Sequence, residues 1–212
     1  MKINNKKNGY TIIETMIAVS LFLVITMTGM AALLNANLIQ KKSQNLRSIM
    51  DNLNFIMEDM SRNIRVGYNY RCYPANTWSE GEAQTPDLNT PQDCASGGVI
   101  VFEEAHGHTP SSTISPDPNA TDQWAYKIES PDGILPYNIY KSIDGGLTWV
   151  QLNPDEVTLD PLSSSFVVTG SDPVPNMEQP YVTIKLVGEI TYKNVVTPFT
   201  LQTAVSQRII DI

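Results

Sequence analysis

Apolar positions fall into three regimes along this chain. From Thr15 to Ile39 no residue carries a formal charge. Those 25 residues, coiled as a helix, would span about 37 Å, enough to cross a hydrocarbon core of about 30 Å. From Leu46 the apolar residues recur as Leu46, Ile49, Met50, Leu53, Ile56, Met57, Met60 and Ile64. Their steps of one, three and four place them on one stripe of a helix. Arg47, Asp51, Asn54, Glu58 and Arg62 fall between them, with Glu58 and Arg62 at ion-pairing spacing. Beyond Gly67 the repeat shortens to two, the period of strands.

The chain therefore predicts one helix from about Tyr10 to Val66, stopped near Gly67. Its first half would be transmembrane and its second half amphipathic, with the stripe Leu46–Ile64 packed against the β-rich domain C-terminal to it. Proline and glycine support this. All 14 prolines lie at Pro74 or later, and Gly29 is the sole glycine between Tyr10 and Val66. Strands are predicted at Gly98–Glu103, Trp124–Glu129, Tyr137–Lys141, Leu147–Leu152, Glu156–Leu159, Phe166–Thr169, Tyr181–Tyr192 and Phe199–Ile209. Asp144-Gly145-Gly146 is a turn signal joining two of them. The last two strands suit a terminal hairpin, with Val182, Ile184 and Leu186 on one face. Segments 74–97, 104–122 and 170–180 read as Pro-rich loops. The predicted class is α+β: one long N-terminal helix packed on an antiparallel sheet.

Charge sharpens the division. Lys2, Lys6 and Lys7 precede the span and favour a cytoplasmic N-terminus, leaving the remainder outside. From Gly67 onward there are 6 Lys/Arg against 18 Asp/Glu, a net of −12. So acidic a head repels phosphate backbones, which argues against nucleic acid as a partner. A cleaved secretory signal fits poorly, because Ala31-Ala32-Leu33 lacks the small-residue cleavage pattern.

Few residues could carry chemistry. Cys72 and Cys94 lie beyond the span, where a disulfide closing a loop of about 22 residues is expected. His106 and His108 are the two histidines, and Glu103-Glu104 precede them. Glycine and proline around them suggest an exposed loop rather than a metal clasp. No metal, cofactor or catalytic constellation is expected, and so no enzyme activity. Ser142-Ile-Asp-Gly-Gly-Leu-Thr-Trp149 resembles the Asp-box of sialidase propellers, in which the Asp and Trp organise a hairpin turn. One copy is better read as a structural hairpin than as a binding site. The sequon Asn119-Ala-Thr121 is a weak signal.

Glu14 is the residue that does not belong. A carboxylate at the head of a membrane span costs at least a few kcal/mol and by default marks function and a partner. The span holds no Lys, Arg or His, and Arg47 is far along the same helix. The partner must come from another chain or from a chain terminus. Cleavage after Gly9 would create such a terminus at Tyr10.

Gly9-Tyr10-Thr11-Ile12-Ile13-Glu14, after a basic leader and before an apolar run, resembles the type IV prepilin signal. Tyr10 replaces the commoner Phe. The stretches 54–65, 142–149, 179–184 and 201–208 resemble minor pseudopilins of the type II secretion J kind and related pilus proteins of the W kind. The resemblance implies a leader at 1–9, removed by a prepilin peptidase that also N-methylates Tyr10. It implies a transmembrane half at 10–39, an amphipathic half at 40–66 and an extracytoplasmic head at 67–212. Glu14 would serve filament assembly. Expected partners are the peptidase, other minor and major pilins or pseudopilins, the inner-membrane assembly platform and membrane lipid. The alternative is a pilus-tip adhesin whose head binds a glycan or surface.

Overall fold

The computed structural model describes residues 9–75, 88, 90–106, 122–130, 136–172, 178–193 and 195–208. The leader lysines, His108, the sequon and Ile209 lie outside them. The chain divides into two compact units at Arg47/Ser48.

Helix α1 runs from Ile12 to Val66, 55 residues without proline. In the first unit its apolar residues point outward all round, from Ile12 through Ile39. It is long and apolar enough to cross a membrane. Its hydroxyls turn inward to the backbone. Thr15 donates to the Ile12 carbonyl at 2.8 Å, Ser20 to Ile17 at 2.9 Å, and Thr26 and Thr28 to the carbonyls of the turn below. Such bonds remove the cost of placing a hydroxyl in hydrocarbon.

In the second unit the stripe is buried as its spacing predicts. Leu53 and Met60 are fully enclosed, and Ile49, Ile56, Met57 and Ile64 nearly so. Met50 is half-buried, and Leu46 belongs to the first unit. Glu58 and Arg62 form the expected surface ion pair at 3.1 Å.

The head holds ten strands: β1 Tyr68–Tyr73, β2 Cys94–Gly97, β3 Val99–Glu103, β4 Gln123–Glu129, β5 Asn138–Ser142, β6 Val150–Gln151, β7 Val157–Leu159, β8 Ser165–Thr169, β9 Tyr181–Tyr192 and β10 Val195–Ser206. They make two antiparallel sheets, where one sheet was predicted. The first runs β1-β3-β4-β5-β6; the second runs β10-β9-β8-β2, with β7 also on β9. β8 and β7 share one side of β9 in succession, at Tyr181–Lys185 and then Gly188–Ile190. The sheets meet along both flanks. Tyr137 bridges Leu159 between β5 and β7. On the other flank, Cys72 in β1 is joined to Cys94 in β2 by a disulfide, Cα–Cα 6.0 Å.

β1 and β2 were not foreseen. Cys-Ala-Ser-Gly of β2 sat within a predicted loop and lacks β-branched residues; its extended form comes from pairing with β8. β1 carries a bulge with Asn69 at φ 55°, which hides its alternation. β6 is shorter than Leu147–Leu152, because the turn before it reaches Trp149. β10 starts before Phe199, since a sheet edge accommodates Pro198.

The helix sits on the face of β3–β4 that carries Phe102 and Tyr126. Asn63 Nδ2 donates to the Tyr126 hydroxyl at 2.8 Å, which donates to Asp59 at 3.3 Å; Lys141 Nζ reaches the same carboxylate at 3.0 Å. Burial above all, together with the Asp59 charge, pushes the Tyr126 hydroxyl pKa well up, so it stays a neutral donor. At the helix end a side chain on Gly67 would strike the Phe102 ring, which explains a glycine there.

Replacing Cys72 and Cys94 together by serine should cost the head about 3 kcal/mol, from the loop of separation 22 that they close. A thermal melt of the full chain in detergent, with and without reductant, checks this. An unchanged melting temperature would make the bond dispensable.

Candidate functional site

Gly9, Tyr10 and Thr11 are non-helical, and the helix starts at Ile12. Thr11 is the N-cap. Its Oγ1 accepts the Glu14 backbone N–H at 3.3 Å, and its carbonyl accepts the Thr15 N–H at 3.2 Å. Thr11 and Glu14 thus hold the spacing of a capping box. The spacing is visible in the sequence, and Thr11 was passed over beside the louder signal of Glu14.

The other half of the box is not made. Among the described residues, the Glu14 carboxylate has no hydrogen bond and no ion pair, and it is exposed. It stands in the first turn, where the helix dipole favours negative charge by a fraction of a kcal/mol. That favours the charge without neutralising it. Tyr10, Ile12, Ile13, Met16 and Ile17 around it are all exposed apolar residues. The arrangement is the one charged residue between Tyr10 and Ile39, exposed on an apolar stretch and open to a cation. Among the described residues nothing lies within 4 Å of where a side chain on Gly9 would start, and Gly9 is exposed.

The Asp-box-like turn has a different character. Asp144 accepts from Ser142 Oγ at 2.8 Å, from the Thr148 amide at 2.9 Å and from the Thr148 hydroxyl at 2.5 Å. The Gly146 amide donates to Ser142 Oγ at 2.9 Å. Gly145 and Gly146 have φ of 70° and 88°, which suit glycine. Trp149 then folds onto Leu88, Val99, Val101 and Ala125. Beside it Lys127, 1% exposed, sits with Nζ 4.3 Å from the indole centroid and pairs with Glu129. Asp and Trp alike are spent on the turn and its packing.

Partial burial alone would raise the Asp144 pKa, but the hydrogen bonds from Thr148, Ser142 and the Leu147 amide outweigh it and hold it below the ordinary 3.8. A depressed carboxylate stabilises the fold above its ordinary pKa and loses that contribution as pH falls through the lowered value. The melting-temperature gap between wild type and Asp144→Asn should therefore be open at neutral pH and close in strong acid. A gap independent of pH would refute this assignment.

His106 is 90% exposed and lies 3.3 Å from Glu104. The preceding Glu103 points the other way: it ends β3, is buried and accepts from Gln123 Nε2 at 2.9 Å. The two glutamates thus face apart, Glu103 ending the strand predicted at Gly98–Glu103 and Glu104 beginning the segment predicted as a loop. No group of three metal-ligating side chains occurs among the described residues.

Comparison with protein-family models, with curated proteins and with solved structures finds no match to this chain.

Proposed function

We propose that this chain is a minor pilin or pseudopilin, a structural subunit that helps initiate or cap a type IV pilus or a type II secretion pseudopilus. The observation that carries the reading is Glu14: a carboxylate with no partner among the described residues, at the start of an exposed apolar helix, five residues after a glycine that fits a prepilin cleavage site. Cleavage between Gly9 and Tyr10 supplies the missing cation. The α-amine of Tyr10 on one subunit pairs with Glu14 of the next, so two charges neutralise each other where water is absent. The N-terminus faces the cytoplasm and the head lies outside the inner membrane, in keeping with the leader lysines. The stripe of α1 holds the head to the helix.

The tip-adhesin alternative loses its best surface. Asp144 is saturated by its own turn and Trp149 is packed inward, so neither is presented to a glycan.

The test is processing. Coexpressed with a prepilin peptidase, the chain should lose residues 1–9 and gain one methyl group at Tyr10, both read by intact mass. Gly9→Val should keep the leader. A wild-type chain that retains its leader alongside an active peptidase overturns the reading.

A further inference from the structure

Strand β10 is the outermost strand of its sheet. β9 pairs with it at every one of its 12 residues, and among the described residues no strand pairs with its other edge. An open edge is a row of unpaired backbone donors and acceptors, and proteins blunt such rows with charges, bulges or short length. β10 has no bulge, and its sequence VVTPFTLQTAVS has no charge. It is also about twice the usual strand length. Val195, Val196, Thr197, Thr200, Thr203 and Val205 are β-branched and favour extended backbone.

Pro198 reveals which groups face outward. Its nitrogen cannot donate to β9, so it belongs on the open side. By alternation, the amides of Thr200, Gln202 and Ala204 face the same way. Beside them runs an open groove of about 370 Å³, walled by Leu201, Gln202 and Thr203 on one side and by Asn54, Met57, Glu58 and Ser61 of α1 on the other, with the Glu58 charge paired to Arg62. A strand added to β10 would send alternate side chains into it.

Charge selects the occupant. Beyond Gly67 there are six basic residues, and two of them, Lys193 and Arg208, bracket β10 and are exposed. A second copy paired antiparallel in full register would bring Lys193 and Arg208 face to face at both ends, a like-charge penalty. We infer that β10 accepts, by strand addition, an extended segment of a different polypeptide, uncharged in its middle and acidic at both ends. The edge and its groove are read on the isolated chain in micelles, so the outcome is independent of whether the chain enters a filament.

The experiment uses the full chain in detergent micelles and three synthetic probes of the length of β10. One alternates valine and threonine between aspartate ends. The second has lysine ends, and the third is the aspartate-ended probe with N-methylated amides. Amide hydrogen exchange is read along β10. The aspartate-ended probe should slow exchange at Thr200, Gln202 and Ala204 about tenfold, and added salt should weaken the effect. The other two probes should do nothing. Gln202→Pro removes an outward amide and no bond to β9, so it should keep the melting temperature and lose the protection. Four results overturn the inference: no slowing by the aspartate-ended probe, equal slowing by either control probe, slow exchange before any probe is added, or protection that grows as the chain alone is concentrated.

Discussion

Glu14→Ala is expected to leave leader removal intact and to exclude the subunit from filaments. In the proposed processing the peptidase would act on the backbone after Gly9, which the substitution does not touch. Assembly is different. Tyr10 stands four positions before Glu14, just outside the first turn of the helix that begins at Ile12, so under the proposed assembly a neighbour's amine can meet the carboxylate with little displacement. Without Glu14 that amine is left charged and unpaired in apolar surroundings. Breaking one side of a buried pair costs about 3 kcal/mol or more, roughly a hundredfold in occupancy. Glu14→Gln should fail similarly, because it removes the charge and keeps the shape. The measurement is the ratio of subunit in sheared filaments to subunit in membranes, with intact mass reporting the mature end. Normal recruitment of the alanine variant would sink the assembly role of Glu14.

Gly188→Ala should be the most damaging single change in the head. Gly188 lies in β9 opposite Leu159 of β7. An added Cβ would collide with the Thr158 carbonyl oxygen and lie 3.1 Å from Leu159 Cα. Both are backbone atoms, so no side-chain rotation relieves the clash. β7 must shift, and with it the Tyr137–Leu159 bridge that closes one flank of the two sheets. Overpacking of this kind costs about 3 kcal/mol, a fall of about 10 °C in melting temperature for a unit of this size. Ala204→Gly, on the exposed face of β10, serves as a control that should move it far less. A melting temperature of Gly188→Ala within a degree or so of wild type would show that β7 is held loosely.

The elements legible in the sequence are those whose burial is one-sided and periodic. The stripe from Leu46 to Ile64 and the alternation of Val182, Ile184 and Leu186 each mark one wet and one dry face, and the structure buries the residues so marked except Leu46 and Met50, which are half-buried. β3 was found from its unbroken apolar run, and all five of its residues are buried. What stayed hidden depends on distant partners. β2 is extended because β8 pairs with it, and nothing in Cys-Ala-Ser-Gly announces that. The partition into two sheets comes from which strands β9 and β3 choose, a long-range choice invisible to local period. At the N-terminus, Glu14 was legible because a charge in an apolar run is conspicuous. The cap at Thr11 was equally encoded and quieter, since a hydroxyl there breaks no pattern.

The inward-turned hydroxyls of Thr15, Ser20, Thr26 and Thr28 have a mechanical consequence for a bundle of such helices. Their protons are committed to backbone carbonyls of the same helix, so over this stretch they offer a neighbour no donor. Against another apolar helix the surface behaves as a bearing, with shape but no polar detents to resist sliding or rotation. Under the proposed assembly, Glu14 would be the one charged catch on the shaft between Tyr10 and Ile39, with the amides of Asn35 and Asn37 as polar groups further along it.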